Sequence, residues 1–266
     1  MQIRNPCVIL SFITPMTKQS TPLGYLSLNI EGSKHLELVE TLIRKHLPDI
    51  VTLQEVHEQD VPRLAEARGY AHRFESMASY THNESGIAMR KGLLIMWEHS
   101  LVLEDLQAYP YVIAPDAEDA SVVLRGPNQR NRILLVAELM KDGKQYRFAT
   151  THFTWTHNSS VDDAQREGLK KLLAILSRYD DERGVILSGD FNAPRGREIW
   201  DTLARKYHDN IPEDIETTLD QTLHRVKGLM CVVDGLFTTL GYTVSDVEIV
   251  DGVSDHKAIL VKIATS

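Results

Sequence analysis

Val185-Ile186-Leu187-Ser188-Gly189-Asp190-Phe191-Asn192 starts as an apolar run and ends in a carboxylate and an amide. Three large aliphatic residues in succession read as a strand buried on both faces. Gly189 allows close approach of the backbone to a ligand. In a continuing extended strand Asp190 and Asn192 lie two apart and point the same way. A buried strand that ends in two polar side chains suits a functional site on a sheet rim. An Asx turn after a buried strand is the plainer reading of the same residues.

The pattern recurs outward in both directions. Tyr25-Leu26-Ser27-Leu28 leads to Asn29, and Ile50-Val51-Thr52-Leu53 leads to Gln54-Glu55. Arg147-Phe148-Ala149 leads to Thr150-Thr151-His152, Val232-Val233 leads to Asp234, and Ser254-Asp255-His256 precedes a strand at 258–263. Helical periodicity lies between these runs. Residues 33–47 carry Leu36, Val39, Ile43 and Leu47 on one face, and Pro48 stops them. Further helices are expected at 58–69, at 162–179 with the stripe Leu169, Leu172, Leu173 and Leu176, and at 196–207. Asp142-Gly143 marks a hairpin turn. Residues 86–97 read as two strand-like runs around Arg90-Lys91-Gly92. Residues 104–130, with Pro110, Pro115, Gly126 and Pro127, read as a loop or insertion with at most one short strand. Hairpins mixed with helical crossovers imply two mixed sheets packed face to face with helices outside.

The chain has 266 residues, room for one α/β domain at 21–266 behind a lead-in at 1–20. Hydrophobic residues make up 42% and charged residues 25%, as in a globular protein. A formal charge of -8 excludes a broad basic face that coats nucleic acid. It leaves room for a nuclease, where a divalent ion and a few arginines offset repulsion locally. Cys7 and Cys231 form no CxxC pair, which favours a reducing, cytoplasmic setting. The apolar run 7–13 after Arg4 resembles a signal peptide weakly: it is short and Pro15 closes it. No run approaches the length of a transmembrane helix, and no obligate protein partner is evident.

Phosphoester hydrolysis needs a placed water, a charge sink for phosphoryl oxygens and help for the leaving oxygen. Magnesium needs only one or two carboxylates, because it keeps several waters. Glu55, at the end of an apolar strand, is the first candidate ligand. Asn29 is placed to hold Glu55, the metal or a phosphate oxygen. Asp190 would orient or deprotonate the attacking water, and Asn192 would hold that geometry. His256 is the candidate imidazolium, oriented by Asp234, while Asp255 points to the other side toward a metal or the water. His152 is a second phosphate donor. Trp155 is a candidate stacking platform, and Arg195 and Arg197 are candidate grips for a second phosphate. Each also has a plain structural reading: strand-end cap, core aromatic or solvated helix start. Arg125, Arg130 and Arg132 are expected at the surface, and His57, His82, His157 and His224 receive no role.

Taken in order, Leu-Asn (Asn29), Leu-Gln-Glu (Glu55), Thr-His (His152), Gly-Asp-Phe-Asn (Asp190, Asn192), Val-Asp (Asp234) and Ser-Asp-His (Asp255, His256) resemble the endonuclease/exonuclease/phosphatase superfamily. The resemblance spans about residues 25–263. It implies a DNase I-like, four-layered αββα sandwich, a magnesium or manganese ion, and hydrolysis through a pentacovalent phosphorus transition state. It implies Glu55 as metal ligand, Asp190 and Asn192 as water and phosphate residues, an Asp234–His256 pair, and His152 as second histidine. Leu28 stands where apurinic endonucleases carry tryptophan, and Val56-His57 stands where they carry a lysine. The expected substrate is a phosphate ester, by default a nucleic acid or its adduct. The alternative is phosphatase or phospholipase C-type action on lipid head groups or inositol and sugar phosphates. The early Asp-x-His and later Gly-Asn-His of calcineurin-like phosphatases are absent, as is a zinc-hydrolase helix.

Overall fold

The computed structural model describes residues 21–81, 88–114 and 130–265. The expected lead-in at 1–20, Arg125, His82 and Cys7 lie outside them. In chain order the elements are β1 (Leu23–Asn29), α1 (Leu36–His46), β2 (Ile50–His57), α2 (Val61–Glu66), β3 (Ala71–Thr81), β4 (Ala88–Trp97) and β5 (Val102–Val112). They continue with β6 (Arg132–Lys141), β7 (Lys144–His152), α3 (Asp163–Leu176), β8 (Ile186–Asp190), α4 (Glu198–Ala204), β9 (His208–Asp209), β10 (Asp234–Thr238), β11 (Tyr242–Val250) and β12 (Ala258–Thr265).

Two crossovers set the frame. β1 and β2 run parallel with α1 between them, and β7 and β8 run parallel with α3 between them. Parallel neighbours need such a connection, because a tight turn cannot return the chain to the same end. Antiparallel strands complete two six-stranded mixed sheets, in the orders β11-β12-β1-β2-β4-β3 and β5-β6-β7-β8-β10-β9. Crevices beyond the carboxyl ends of parallel strands are where open α/β sheets bind ligands. Here both parallel pairs end at the same rim.

Tyr25, Ile50, Leu93 and Ile95 of one sheet and Leu134, Val136, Phe148 and Leu187 of the other belong to the core between them. On the outer face of the first sheet, Val39, Leu42 and Ile43 of α1 pack with Leu26, Leu28, Val51 and Leu53. Leu47 leaves that stripe: it caps α1 at φ 44° and is half exposed, and Leu42 takes its place. Asp162 caps α3, accepting from the Gln165 amide at 2.8 Å. The expected helical and hairpin segments are present but shorter at their ends, and the whole is the αββα sandwich the sequence implies.

Two expectations fail. Residues 102–112 form one eleven-residue strand rather than loop. β5 is an outermost strand, and its register shifts between Pro110 and Val112, so the missing N–H of proline breaks little pairing. Residues 88–97 form one continuous strand rather than two runs. The ladder slips by one residue between Ser76 and Ala78, opposite Gly92, whose absent Cβ would lie 1.9 Å from the Glu75 carbonyl oxygen.

Polar groups bridge the sheets beneath the rim. The Tyr25 hydroxyl bonds to Thr52 at 2.6 Å and to Ser188. Gln54 donates to Thr150 at 3.0 Å. In an otherwise apolar interior, such bonds hold the β1–β2 pair in one register against β7–β8.

Candidate active site

Strand register alone assembles the floor of the site. His152 pairs with Asp190 across β7 and β8, and Asp190 pairs with Asp234 across β8 and β10. Three titratable residues from distant parts of the sequence thus stand in one row. Gly189 makes the row possible: its φ is 139°, and a Cβ would lie 1.9 Å from the Thr151 carbonyl oxygen. Strand pairing therefore requires the glycine.

The strand does not continue as expected after Asp190. Asn192 turns to φ 50°, a conformation asparagine tolerates. Its amide still faces Asp190, but through an Asx turn. Asn192 donates to Asp190 from its backbone at 2.8 Å and from its side chain at 3.3 Å, and Asn29 donates at 3.1 Å. Asn29 thus holds Asp190 rather than Glu55, while its own oxygen accepts from the Glu31 amide at 3.1 Å. Burial pushes the Asp190 carboxyl well above its usual range; His256 opposes this and Asp234 adds to it.

The two histidines are driven apart. His256 Nδ1 lies 2.8 and 3.0 Å from the two Asp234 oxygens, and its Nε2 lies 3.9 Å from Asp190. Burial alone would lower His256, but Asp234 and then Asp190 outweigh it and hold it charged well above the ordinary range. His152 Nε2 lies 3.4 Å from Asp190 and 3.9 Å from Glu55. Burial, then the Arg132 and Arg130 cations, drive His152 far below the ordinary range, so it is neutral.

Glu55 sits on a bulge, at φ 61°, where β2 slips register between Leu53 and Val56. The bulge re-aims a side chain that regular pleating would pair across the sheet. Its carboxylate bonds to Lys91 and to Arg130, the latter at 3.1 Å. Burial opposes ionisation there, yet Lys91, Arg130 and His152 keep Glu55 well below the usual carboxylate range. Asp255 shares this mouth: burial raises it, His256 opposes, and the nearby Glu31 and Glu55 charges raise it further. Separately, Asp190, Asp234 and His256 bring ligand atoms within 4.8 Å of one another, a group able to hold a metal ion.

Sequence reading missed three cations. Arg132 is 1% exposed and donates to the His152 carbonyl oxygen at 3.2 Å, while Arg130 and Lys91 close on Glu55. The expected surface placement of Arg130 and Arg132 is therefore wrong. The usable signal was an arginine at each end of Asn131, opening the strand that pairs with the His152 strand. His57 has a place too, between Tyr80 at 2.7 Å and Ser33 at 2.9 Å.

Beyond His256 lies a cavity of about 1010 Å³, whose lining includes Trp155, Arg195, Arg197 and His224. The His224 ring is 6.4 Å from the His256 ring. The Arg195 guanidinium is turned into the fold, donating to the Ile211 and Pro212 carbonyl oxygens at 2.7 and 3.0 Å. Arg197 is exposed and donates to the Ser159 carbonyl oxygen at 2.6 Å. Cys231 also lines the cavity, and burial with Asp234 and Asp190 pushes its thiol up to about 11, so it is no nucleophile.

Among known proteins, the chain is 24% identical to Nocturnin of Drosophila melanogaster over 184 residues, 66% of this chain. It spans about a quarter (26%) of that protein's length. ANGEL2, a 2′,3′-cyclic phosphatase solved with adenosine-2′,3′-vanadate, superposes with a TM-score of 0.68 at 15% identity, over 94% of this chain and 99% of that one. The Bacteroides thetaiotaomicron mannosyl-6-phosphatase Bt3783 superposes at 0.66 and 14% identity, over 91% and 99%. These likenesses share the fold. The family model for endonuclease/exonuclease/phosphatase proteins matches residues 26–256, which carry every polar cluster described above, and the chain belongs to that family of phosphoester hydrolases.

Proposed function

We propose that the protein is a divalent-metal-dependent phosphodiesterase that acts on a nucleic acid or a nucleotide-containing ester. The observation that carries this reading is the row His152–Asp190–Asp234 with His256 over it. It holds one carboxyl raised toward the range of a working base, one neutral imidazole and one imidazolium within 4 Å of a single carboxylate or its partner. Asp190 orients the attacking water and takes its proton. His256, kept charged by Asp234, faces the phosphoryl oxygen on which negative charge grows. His152 donates from a neutral ring, and Asn29 and Asn192 fix the rotamer of Asp190.

The donor chemistry suits a hard dication: Glu55 and Asp255 would offer carboxylate oxygens whose charges oppose one another beside Glu31, with Lys91 and Arg130 giving up their bonds to Glu55 to make room for the ion. Magnesium or manganese held by Glu55, Asp255 and Asn29 would supply positive charge for the phosphoryl oxygens. Asp234 is better suited to orient His256 than to ligate, since both its oxygens already face Nδ1. Arg195, by its inward bonds, suits bracing the cavity wall. Arg197 and Trp155 remain the proposed substrate contacts.

A nucleotide substrate is supported by the similarity to ANGEL2, a 2′,3′-cyclic phosphatase solved with an adenosine compound. A second reading, a phosphatase on sugar phosphates, is favoured by the mannosyl-6-phosphatase likeness. A panel of single-stranded DNA, RNA, 2′,3′-cyclic nucleotides, sphingomyelin, inositol phosphates and mannose 6-phosphate separates them. Cleavage of a nucleotide ester that EDTA stops is the expected result. Turnover restricted to sugar phosphates or lipids would replace it with the second reading.

A further inference from the structure

The cavity beside His256 is far larger than a phosphate needs. At about 1010 Å³ it reaches the top of the roughly 300–1,000 Å³ range of small-molecule sites. One wall is Trp155, half-buried, with the His157 ring edge-on at 6.1 Å. The lining also carries Val226, Leu229 and Met230, which are 49%, 38% and 49% exposed. Apolar side chains left open beside a catalytic histidine mark a surface that a ligand covers. The rim carries Arg197 and Arg225, and among the described residues neither has a carboxylate partner.

The wall is fastened to the catalytic pair. The Asp220 amide donates to the Asp255 carbonyl at 2.9 Å, and the Lys257 amide donates to the Thr218 carbonyl at 2.7 Å. The Thr218 hydroxyl accepts from the Asp234 amide at 3.0 Å. The Thr218 amide donates to the Cys231 carbonyl at 3.1 Å and the His224 amide to the Asp220 carbonyl at 3.0 Å, so the stretch 217–220 ties the cavity lining to the His256–Asp234 pair.

We infer that this cavity receives a nucleoside of the substrate, its base against the Trp155 indole and a second phosphate at Arg197. This rests on the phosphodiesterase reading and names the part of the substrate that sets specificity. An acyl chain would take water from the polar heads of Arg197, Arg225, His157, His224 and Glu216 and offer nothing in return, whereas a base and its sugar offer hydrogen-bonding edges to them. Stacking on an indole tolerates any base, because every base has a π-face.

The test needs no turnover. Trp97 and Trp200 are buried, so Trp155 is the accessible indole of the three. In EDTA, AMP and ADP are expected to quench tryptophan fluorescence of the full chain, with ADP binding more tightly, while inorganic phosphate does not quench. Calorimetry on Trp155→Ala should show AMP binding weakened about tenfold or more. Arg197→Ala should weaken ADP and spare AMP, and Met230→Ala gives an independent variant of the apolar lining. Circular dichroism melting verifies that each variant folds. Equal AMP affinity in wild type and Trp155→Ala would overturn the inference. So would binding of phosphatidylcholine vesicles with no nucleotide competition. Nucleotide binding without hydrolysis of any ester would sink the phosphodiesterase reading and leave the cavity standing; ester hydrolysis without nucleotide binding would do the reverse.

Discussion

The proposed catalytic floor and the cavity beside it are joined through residues 217–220 but are built from different material. The floor is made of the strand ends Asn29, His152, Asp190 and Asp234 with His256 just before β12; all five are under 10% exposed, and register fixes the spacing of His152, Asp190 and Asp234. The cavity is made of connections, with apolar side chains half open on a loop at 222–230. A buried floor fixes charge and proton position, which chemistry needs in every turnover. An open wall of loop residues gains contacts only when a ligand arrives, which suits selection among substrates. The difference separates rate from specificity, and variants can break that separation.

The largest effect should come from the centre of the floor. Asp190→Asn keeps the shape and removes the base, so kcat should fall about 100- to 10,000-fold on every ester. Its melting temperature should hold or rise, since a buried charge is removed. An unchanged kcat would mean that the row is architectural.

Glu55→Gln should come next. The variant should need at least tenfold more manganese for half-maximal activity, because a neutral amide is a poorer ligand for a hard dication. Isothermal titration of manganese reads this without substrate. Equal affinity would shift attention to the Asp190, Asp234 and His256 group as the ion site.

Asp234→Asn tests the charged histidine. The folded His256 pKa is raised, so its charge and the stability it contributes are complete below the unfolded value. Both are lost as pH rises through the folded value. The variant should lose activity at a lower pH than wild type, with kcat down about 100-fold. A pH–rate profile that keeps its alkaline limb in place would contradict the assignment.

The floor was legible in the sequence because strands carry polar residues to one rim with a signature at each end. The apolar runs before Asn29, His152 and Asp190 do form strands that end at those residues, whereas Glu55 lies on a bulge inside β2 and Asp234 opens β10. Their partnerships were not legible. That Asn29 holds Asp190 depends on how the two sheets face each other, a contact 161 residues apart in sequence. Arg132 was read as surface because lone arginines usually are; it is buried where β6 opens beside His152, which the arginines flanking Asn131 hinted at but which depends on the pairing of β6 with β7. Asn192 was read in an extended chain, while its turn arises because β8 ends at Asp190. The cavity was nearly invisible, because loop side chains at 155, 197, 226 and 230 converge only after the sandwich closes.

The smallest effect concerns the brace between the two regions. Burial would raise Asp220, but the Gly252 amide, the Thr222 hydroxyl and the Leu223 and Thr222 amides together pull it down to about 2. Its folded value is below its unfolded value, so its contribution is present above about pH 4 and lost as pH falls toward 2. Asp220→Asn should cost about 2 kcal/mol at neutral pH and nothing near pH 2, which urea melts at the two pH values would read. Rate on a small ester should change less than affinity for nucleotide if the brace serves the cavity first.

The most direct test is turnover of bis(p-nitrophenyl) phosphate by wild type and Asp190→Asn, each in magnesium, manganese and EDTA. Wild-type hydrolysis with either metal, abolished by EDTA and by the single substitution, is the expected result. Hydrolysis that survives EDTA, or that Asp190→Asn retains at the wild-type rate, would contradict metal-dependent attack by a water that Asp190 orients.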